Sequence, residues 1–246
     1  MVLLAAFSFF SFTNAQTKII AHRGFWNANP VTSENSIQSL KNAQKLGVYG
    51  SEFDVRMTKD GVLVVNHDEN INEKEISETS YADLKNEKLS NGEQLPTLED
   101  YLAQGKNSKK VKLIIEIKPA KTPDLEMTLV KKTLEAVKKF KLTKQVEFIS
   151  FSLVICKEIK KIDQKAMVQY LNGELSPEEV KAIGLDGIDY HYSVFLEKHP
   201  DWISQAKELG IKTNTWTVND TETFKKLQDM GVDFVTTNTP DVFLKQ

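Results

Sequence analysis

The chain has 246 residues, with 32 Lys and Arg against 34 Asp and Glu, a formal net charge of −2 and 40% hydrophobic residues. That composition excludes collagen-like, disordered and polytopic membrane proteins, and the near-neutral balance argues against a nucleic-acid binder, whose affinity comes from clustered basic side chains. The single cysteine, Cys156, excludes an intramolecular disulfide framework and a cysteine-rich metal site.

In chain order the first feature is residues 1–15, MVLLAAFSFFSFTNA, which carry no charge. The apolar stretch is short of the about 20 residues that span a bilayer. Thr13-Asn14-Ala15 sets small residues before a cut, so residues 1–15 read as a secretory signal peptide and residues 16–246 as the mature domain. The protein is then expected to be exported, periplasmic or secreted, without a stable membrane span. A retained amino-terminal anchor is the competing reading. No Lys or Arg precedes the apolar stretch, which a truncated start would explain.

From Lys18 onward short apolar runs alternate with amphipathic segments. The predicted strands are 18–22, 50–54, 113–117, 146–150, 167–171, 187–190, 212–216 and 234–237. The predicted helices are 36–46, 124–140, 153–162, 177–183, 201–209 and 221–230. Eight such strands in this length predict an α/β fold, the (β/α)₈ TIM barrel, which typically takes about 250 residues. An open doubly wound sheet would carry a glycine-rich phosphate loop after the first strand, but the chain reads His22-Arg23-Gly24-Phe25-Trp26. Asp60-Gly61 between β-rich runs signals a hairpin inserted after the second strand. With that pair as the loop, Lys59 opposes Val62 and Asp54 opposes His67. Residues 69–100 are polar and weakly periodic, an excursion at the barrel mouth that re-enters through a helix starting near Thr97.

In such a barrel the chemistry gathers where strands end. Glu52 and Asp54 form an E-x-D pair, and Glu116 and Lys118 an E-x-K pair; a period of two points each pair one way. Three converging carboxylates repel and call for protons or a cation, and all-oxygen ligands favour a hard divalent ion, Mg²⁺ or Ca²⁺. One E-x-D alone is more often a solvated pair, but its combination with His22, His67 and Glu116 reverses that balance. Two strand-end histidines suit acid–base exchange, with metal ligation open as the other role. Arg23 and Lys118 add positive charge where a phosphoryl oxygen would gain negative charge. Trp216 divides evenly between core and substrate wall. His191, His199, Trp26, Trp202 and Cys156 read as packing or surface residues.

Taken together, "AHRG" at 21–24, "ENSIQSL" at 34–40, "EFDVRMTKDGVLVVNHD" at 52–68, "LPTLEDYL" at 95–102, "IEIKP" at 115–119, "NTWTVND" at 214–220 and "GVDFVTTNTP" at 231–240 resemble the glycerophosphodiester phosphodiesterase family, in its bacterial exported form. The resemblance spans nearly all of residues 18–246, although "NANPVTSEN" at 27–35, after Gly24, departs from the family's shorter proline-containing loop before Glu-Asn, which bears on the substrate-side role of Glu34. It implies a metal-dependent barrel enzyme of lipid metabolism that hydrolyses glycerophosphodiesters to glycerol 3-phosphate and an alcohol. Glu52, Asp54 and Glu116 match the carboxylates for one divalent cation, His22 and His67 the acid–base pair, Arg23 and Lys118 the phosphate-binding positions, and Trp216 an aromatic wall. The implied partner is the small-molecule substrate, with no nucleic acid; oligomeric state is not legible. Two rivals are a phospholipase D-like or lysophospholipase D-like enzyme on the same barrel, and a non-catalytic periplasmic glycerophosphodiester-binding protein.

Overall fold

The computed structural model describes residues 16–245. The expected signal peptide, residues 1–15, lies outside them. The strands are β1 (Lys18–Ala21), β2 (Gly50–Met57), β3 (Leu63–Val65), β4 (Asn70–Ile71), β5 (Lys74–Glu75), β6 (Lys112–Ile117), β7 (Val146–Ser150), β8 (Val168–Tyr170), β9 (Gly187–His191), β10 (Lys212–Trp216) and β11 (Phe234–Thr237). The helices are α1 (Ile37–Leu46), α2 (Tyr81–Leu84), α3 (Leu98–Gly105), α4 (Pro123–Lys139), α5 (Leu153–Ile162), α6 (Pro177–Ala182), α7 (Trp202–Leu209), α8 (Thr221–Met230) and α9 (Pro240–Phe243).

Hydrogen bonding runs β1-β11-β10-β9-β8-β7-β6-β2, and β1 pairs in parallel with β2 through Ile20↔Gly50 and Ala21↔Ser51. That last pairing closes the ring, so the eight strands form the expected (β/α)₈ barrel. Helix starts are set by local side chains. Ser36 caps α1, and Thr97 with Asp100 and Ser176 with Glu179 form capping boxes at α3 and α6.

Strand alternation sorts the core into two layers. On β6, Leu113, Ile115 and Ile117 pack outward with Leu102, Leu129 and Val130 of the helices, all buried. Ile114 points inward and joins Ile20, Ile149, Leu171 and Phe234 in a separate apolar plug. Cys156 belongs to the outer layer, and burial pushes its thiol up to about 12, as its packing role requires. His199 stacks on Trp202 at 3.9 Å between ring centroids, a packing role for both.

The hairpin differs from the expected register by one residue. β3 runs antiparallel to β2 with Val55↔Val65, Arg56↔Val64 and Met57↔Leu63. The Asn66 amide donates to the Asp54 carbonyl at 3.1 Å, so Asn66, not His67, opposes Asp54. The cause is a three-residue loop, Lys59-Asp60-Gly61, in place of Asp60-Gly61 alone. The Thr58 amide donates to the Val62 carbonyl at 2.9 Å, the Thr58 hydroxyl to Asp60 at 2.6 Å, and Gly61 takes φ 81°. A slip of one residue reverses the faces of a strand. His67 nevertheless lines the central cavity, because β3 ends at Val65 and the following turn carries His67 inward.

The excursion after the hairpin has its own small core of Val64, Ile71, Ile76, Leu84 and Leu95. Lys121, at the start of the segment leading to α4, tethers it through Glu75 and Glu78, each at 2.6 Å. Among the described residues no helix is long and apolar enough to cross a membrane.

Candidate active site

Parallel pairing of β2 with β6 sets Asp54 beside Glu116, and Glu52 lies one inward position earlier. Carboxylate oxygens of Glu52, Asp54 and Glu116 all fall within 4.8 Å of one another. The three residues are 2%, 0% and 8% exposed, so water cannot screen their repulsion. Lys118, just past β6, supplies the nearest counter-charge: its Nζ lies 2.9 Å from Asp54 Oδ1 and 2.7 Å from Glu116 Oε1. Asn35 fixes Asp54 from the other side. Its Nδ2 donates to Asp54 Oδ2 at 2.8 Å, and the Asp54 amide donates to Asn35 Oδ1 at 3.2 Å.

The three acids carry different proton affinities. Burial pushes Asp54 up, but Lys118, His67 and the Asn35 hydrogen bond outweigh it and leave the carboxyl at about 2. Burial and the Asp54 charge drive Glu116 to about 7, against the pull of Lys118. Burial, then the charges of Asp54 and Glu116, push Glu52 well above the usual carboxylate range. Glu52 Oε2 accepts from the Arg23 amide at 2.7 Å, while Glu52 Oε1 is buried with no hydrogen-bond partner among the described residues. An all-oxygen, buried set with one acceptor unsatisfied fits a hard divalent cation.

The turn after β1 brings in His22 and Arg23. Arg23 takes a left-handed φ of 55° and Gly24 one of 79°, and the Gly24 amide donates to the Glu52 carbonyl at 3.0 Å. A Cβ on Gly24 would meet Ser39 Oγ at 2.3 Å, so only glycine lets the turn lie this close to α1. The Arg23 guanidinium pairs with Glu34 and lies 3.8 Å from Asp54 through Nε. His22 Nδ1 lies 2.7 Å from Asn238 Oδ1, an acceptor, so Nδ1 carries the proton and Nε2 keeps its lone pair. Burial, then the Arg23 charge, lowers His22 to about 4, which leaves the ring neutral near pH 7. His67 is oriented twice: its Nδ1 meets Asp68 at 2.8 Å, and Arg56 holds its backbone carbonyl at 2.9 and 2.8 Å.

Trp216 ends β10. Its Nε1 donates to the Asp189 carbonyl at 3.0 Å, and its ring meets Phe151 and His191 edge-on at 5.6 and 5.3 Å. The ring lines the cavity, not the outer core. Seven of the eight expected site residues thus surround one cavity of about 110 Å³, and the fully buried Asp54 joins them through Lys118 and Asn35. A wider cavity of about 580 Å³ adjoins it between the hairpin loop and α4, and Lys118 lines both. The sequence reading missed Asn35 and Asn238, which hold an acid and a histidine in place. Both stand inside motifs already singled out, "ENSIQSL" and "GVDFVTTNTP", which was the available signal.

Fold and site together define a closed (β/α)₈ barrel whose strand ends gather acids, histidines and basic side chains around one cavity, the arrangement of a barrel enzyme. Residues 22–242 match the model of the glycerophosphoryl diester phosphodiesterase family. A glycerophosphodiester phosphodiesterase of Caldanaerobacter subterraneus subsp. tengcongensis is 29% identical over 244 residues, covering 93% of this chain and 97% of that protein. The crystal structure of a glycerophosphodiester phosphodiesterase from Parabacteroides distasonis superposes with a TM-score of 0.92 at 47% identity, covering 94% of this chain and 96% of that one. An Oleispira antarctica phosphodiesterase, solved in complex with the product sn-glycerol-3-phosphate, superposes with a TM-score of 0.81 at 25% identity, covering 94% and 96%. The chain belongs to the glycerophosphoryl diester phosphodiesterase family and is a phosphoric diester hydrolase of that kind.

Proposed function

We propose that the protein hydrolyses glycerophosphodiesters to sn-glycerol 3-phosphate and an alcohol, with one Ca²⁺ or Mg²⁺ held by Glu52, Asp54 and Glu116. The observation that carries this reading is the buried cluster of three acids within 4.8 Å, one of whose oxygens has no partner. When bound, the cation polarises a phosphate oxygen as a Lewis acid. Arg23 and Lys118 orient the phosphoryl group and offset the charge it gains. His22, neutral and with Nε2 free, takes the proton of the attacking hydroxyl. The attacking oxygen forms a bond to phosphorus, the bond from phosphorus to the alcohol oxygen breaks, and His67 delivers a proton to that oxygen. The attacking group is either a glycerol hydroxyl, giving a cyclic phosphate that water then opens, or water itself. Trp216 closes the apolar side of the cavity. The product found with the Oleispira antarctica phosphodiesterase supports the assigned product. Export is part of the same reading: residues 1–15 act as a signal peptide, 16–246 as the enzyme domain, and the substrate is met in the periplasm or outside the cell.

The test is an assay of purified protein on glycerophosphocholine, glycerophosphoethanolamine, glycerophosphoglycerol and lysophosphatidylcholine, with and without chelator. Release of glycerol 3-phosphate that stops on chelation and returns with one cation is the expected result. Turnover indifferent to chelator, or confined to the lysolipid, would contradict the reading.

A further inference from the structure

The three acids stand on β2 and β6. The ring can be followed from β2 as β2-β1-β11-β10-β9 or as β2-β6-β7-β8-β9, with equal steps, so β9 faces β2 across the barrel. The wall away from the acids is largely apolar, made of Ile149, Phe151, Leu171 and Trp216 with Thr217 and Thr236 at its edge. One carboxyl interrupts it. Asp189 of β9 lines the cavity at 1% exposure, and its Oδ1 has no hydrogen-bond partner among the described residues. A buried polar atom left unsatisfied is costly, so this position suits a ligand's hydrogen-bonding group. Asp189 stands outside the cluster of acids within 4.8 Å, which comprises Glu52, Asp54 and Glu116.

The placement is firm. Asp189 pairs with Asn214 in the β9–β10 register, and its carbonyl accepts from Trp216 Nε1 at 3.0 Å. Burial, then the Glu116 charge, pushes the Asp189 carboxyl above the usual carboxylate range, against the pull of a hydrogen bond from Asn214. A glycerophosphate group has two unlike halves. Its phosphate suits the side carrying Arg23 and Lys118. Its three-carbon chain with hydroxyls suits the largely apolar wall that Asp189 interrupts.

We propose that Asp189 is a substrate-binding residue that hydrogen-bonds a hydroxyl of the glycerol half and sets the preference for glycerol over a hydroxyl-free alkyl group, an inference that rests on the function proposed above. The test compares sn-glycerol 3-phosphate with propyl phosphate, which keeps the phosphate and carbon chain but lacks hydroxyls. Their Kd values are measured by calorimetry with Ca²⁺ present, on the wild type, Asp189→Leu and Asp189→Asn. The wild type should prefer glycerol 3-phosphate by on the order of tenfold, the worth of one well-formed hydrogen bond. Asp189→Leu should lose that preference with its affinity for propyl phosphate unchanged, and Asp189→Asn, which keeps size and hydrogen bonding, should retain most of it. Asp189→Ala gives the same comparison should the leucine variant fail to fold. A preference that survives in the leucine and alanine variants, or an equal weakening of both ligands, would overturn the proposal. So would loss of Ca²⁺ binding in Asp189→Asn, which would make the residue part of the cation site. Wild-type release of glycerol 3-phosphate from glycerophosphocholine is measured on the same preparation. Its absence would overturn the functional reading and this inference together; turnover with unchanged preference in the variants overturns this inference alone.

Discussion

Lys118→Met tests the electrostatics of the acid cluster, because the substitution keeps the stem and removes the ammonium. Lys118 is 6% exposed, and its Nζ sits 2.9 and 2.7 Å from Asp54 and Glu116. Removing one partner of a buried pair costs about 3–5 kcal/mol, since the remaining charge stays desolvated. Glu116 already lies near 7 and sheds part of its charge by taking a proton, so the low end, about 3 kcal/mol, is expected in chelator. For a domain of this size each kcal/mol moves Tm by about 2–4 °C, giving a drop of about 6–12 °C. A cation at a hundred times its Kd contributes about 2.7 kcal/mol of stability. It binds the more negative variant site more tightly, so added Ca²⁺ or Mg²⁺ should narrow the gap between variant and wild type. Calorimetric melting with chelator and with cation reads both quantities. A gap that is the same in both conditions, or no gap in chelator, would refute the reasoning.

Three further outcomes follow from the geometry. His22→Ala and His67→Ala should each lower kcat by about 10²–10⁴ with circular dichroism unchanged; near-normal turnover in both would remove them from the chemistry. Asn35→Ala removes both hydrogen bonds to Asp54 and should weaken Ca²⁺ affinity about 10–100-fold, read by calorimetry; an unchanged affinity would make Asn35 a bystander. In cation-free protein, burial and Arg23 depress His22 from 6.5 to about 4. The unfolded chain therefore takes the proton first. Stability relative to His22→Asn is fully present above about 6.5 and falls by up to about 3 kcal/mol as pH drops to about 4. Urea unfolding of the pair across that window checks the sign, and a wild type that gains stability toward acid would contradict it.

The barrel was legible because two signals agree along most of the chain. Apolar strand runs such as Leu113–Ile117 alternate with helices that begin at caps such as Ser36 and Asp220 and end at glycines such as Gly47, Gly210 and Gly231, and inward strand positions carry the acids of the E-x-D and E-x-K pairs. The hairpin register was not legible, because Asp60-Gly61 serves equally as a two-residue loop and as the end of a three-residue one. The Thr58 hydroxyl, which bonds Asp60 and accepts from the Val62 amide at 3.0 Å, decides between them. Asn35 and Asn238 escaped because their partners lie 19 and 216 residues away, and a neutral amide leaves no pattern of its own. Asp189 was within reach. Its neighbours Ile188 and Tyr190 are core residues with no exposure, so alternation alone sends Asp189 inward. Residues 69–100 stayed opaque because their two-residue strands and four-residue helix are too short to show a period.

The most direct measurement is an anomalous difference map from crystals soaked in Mn²⁺, an ion that takes the same oxygen ligands as Mg²⁺. The account predicts one strong peak bonded at about 2.0–2.6 Å to carboxylate oxygens of Glu52, Asp54 and Glu116. A peak seated on other residues, or Glu52, Asp54 and Glu116 left without metal at saturating Mn²⁺, would contradict it.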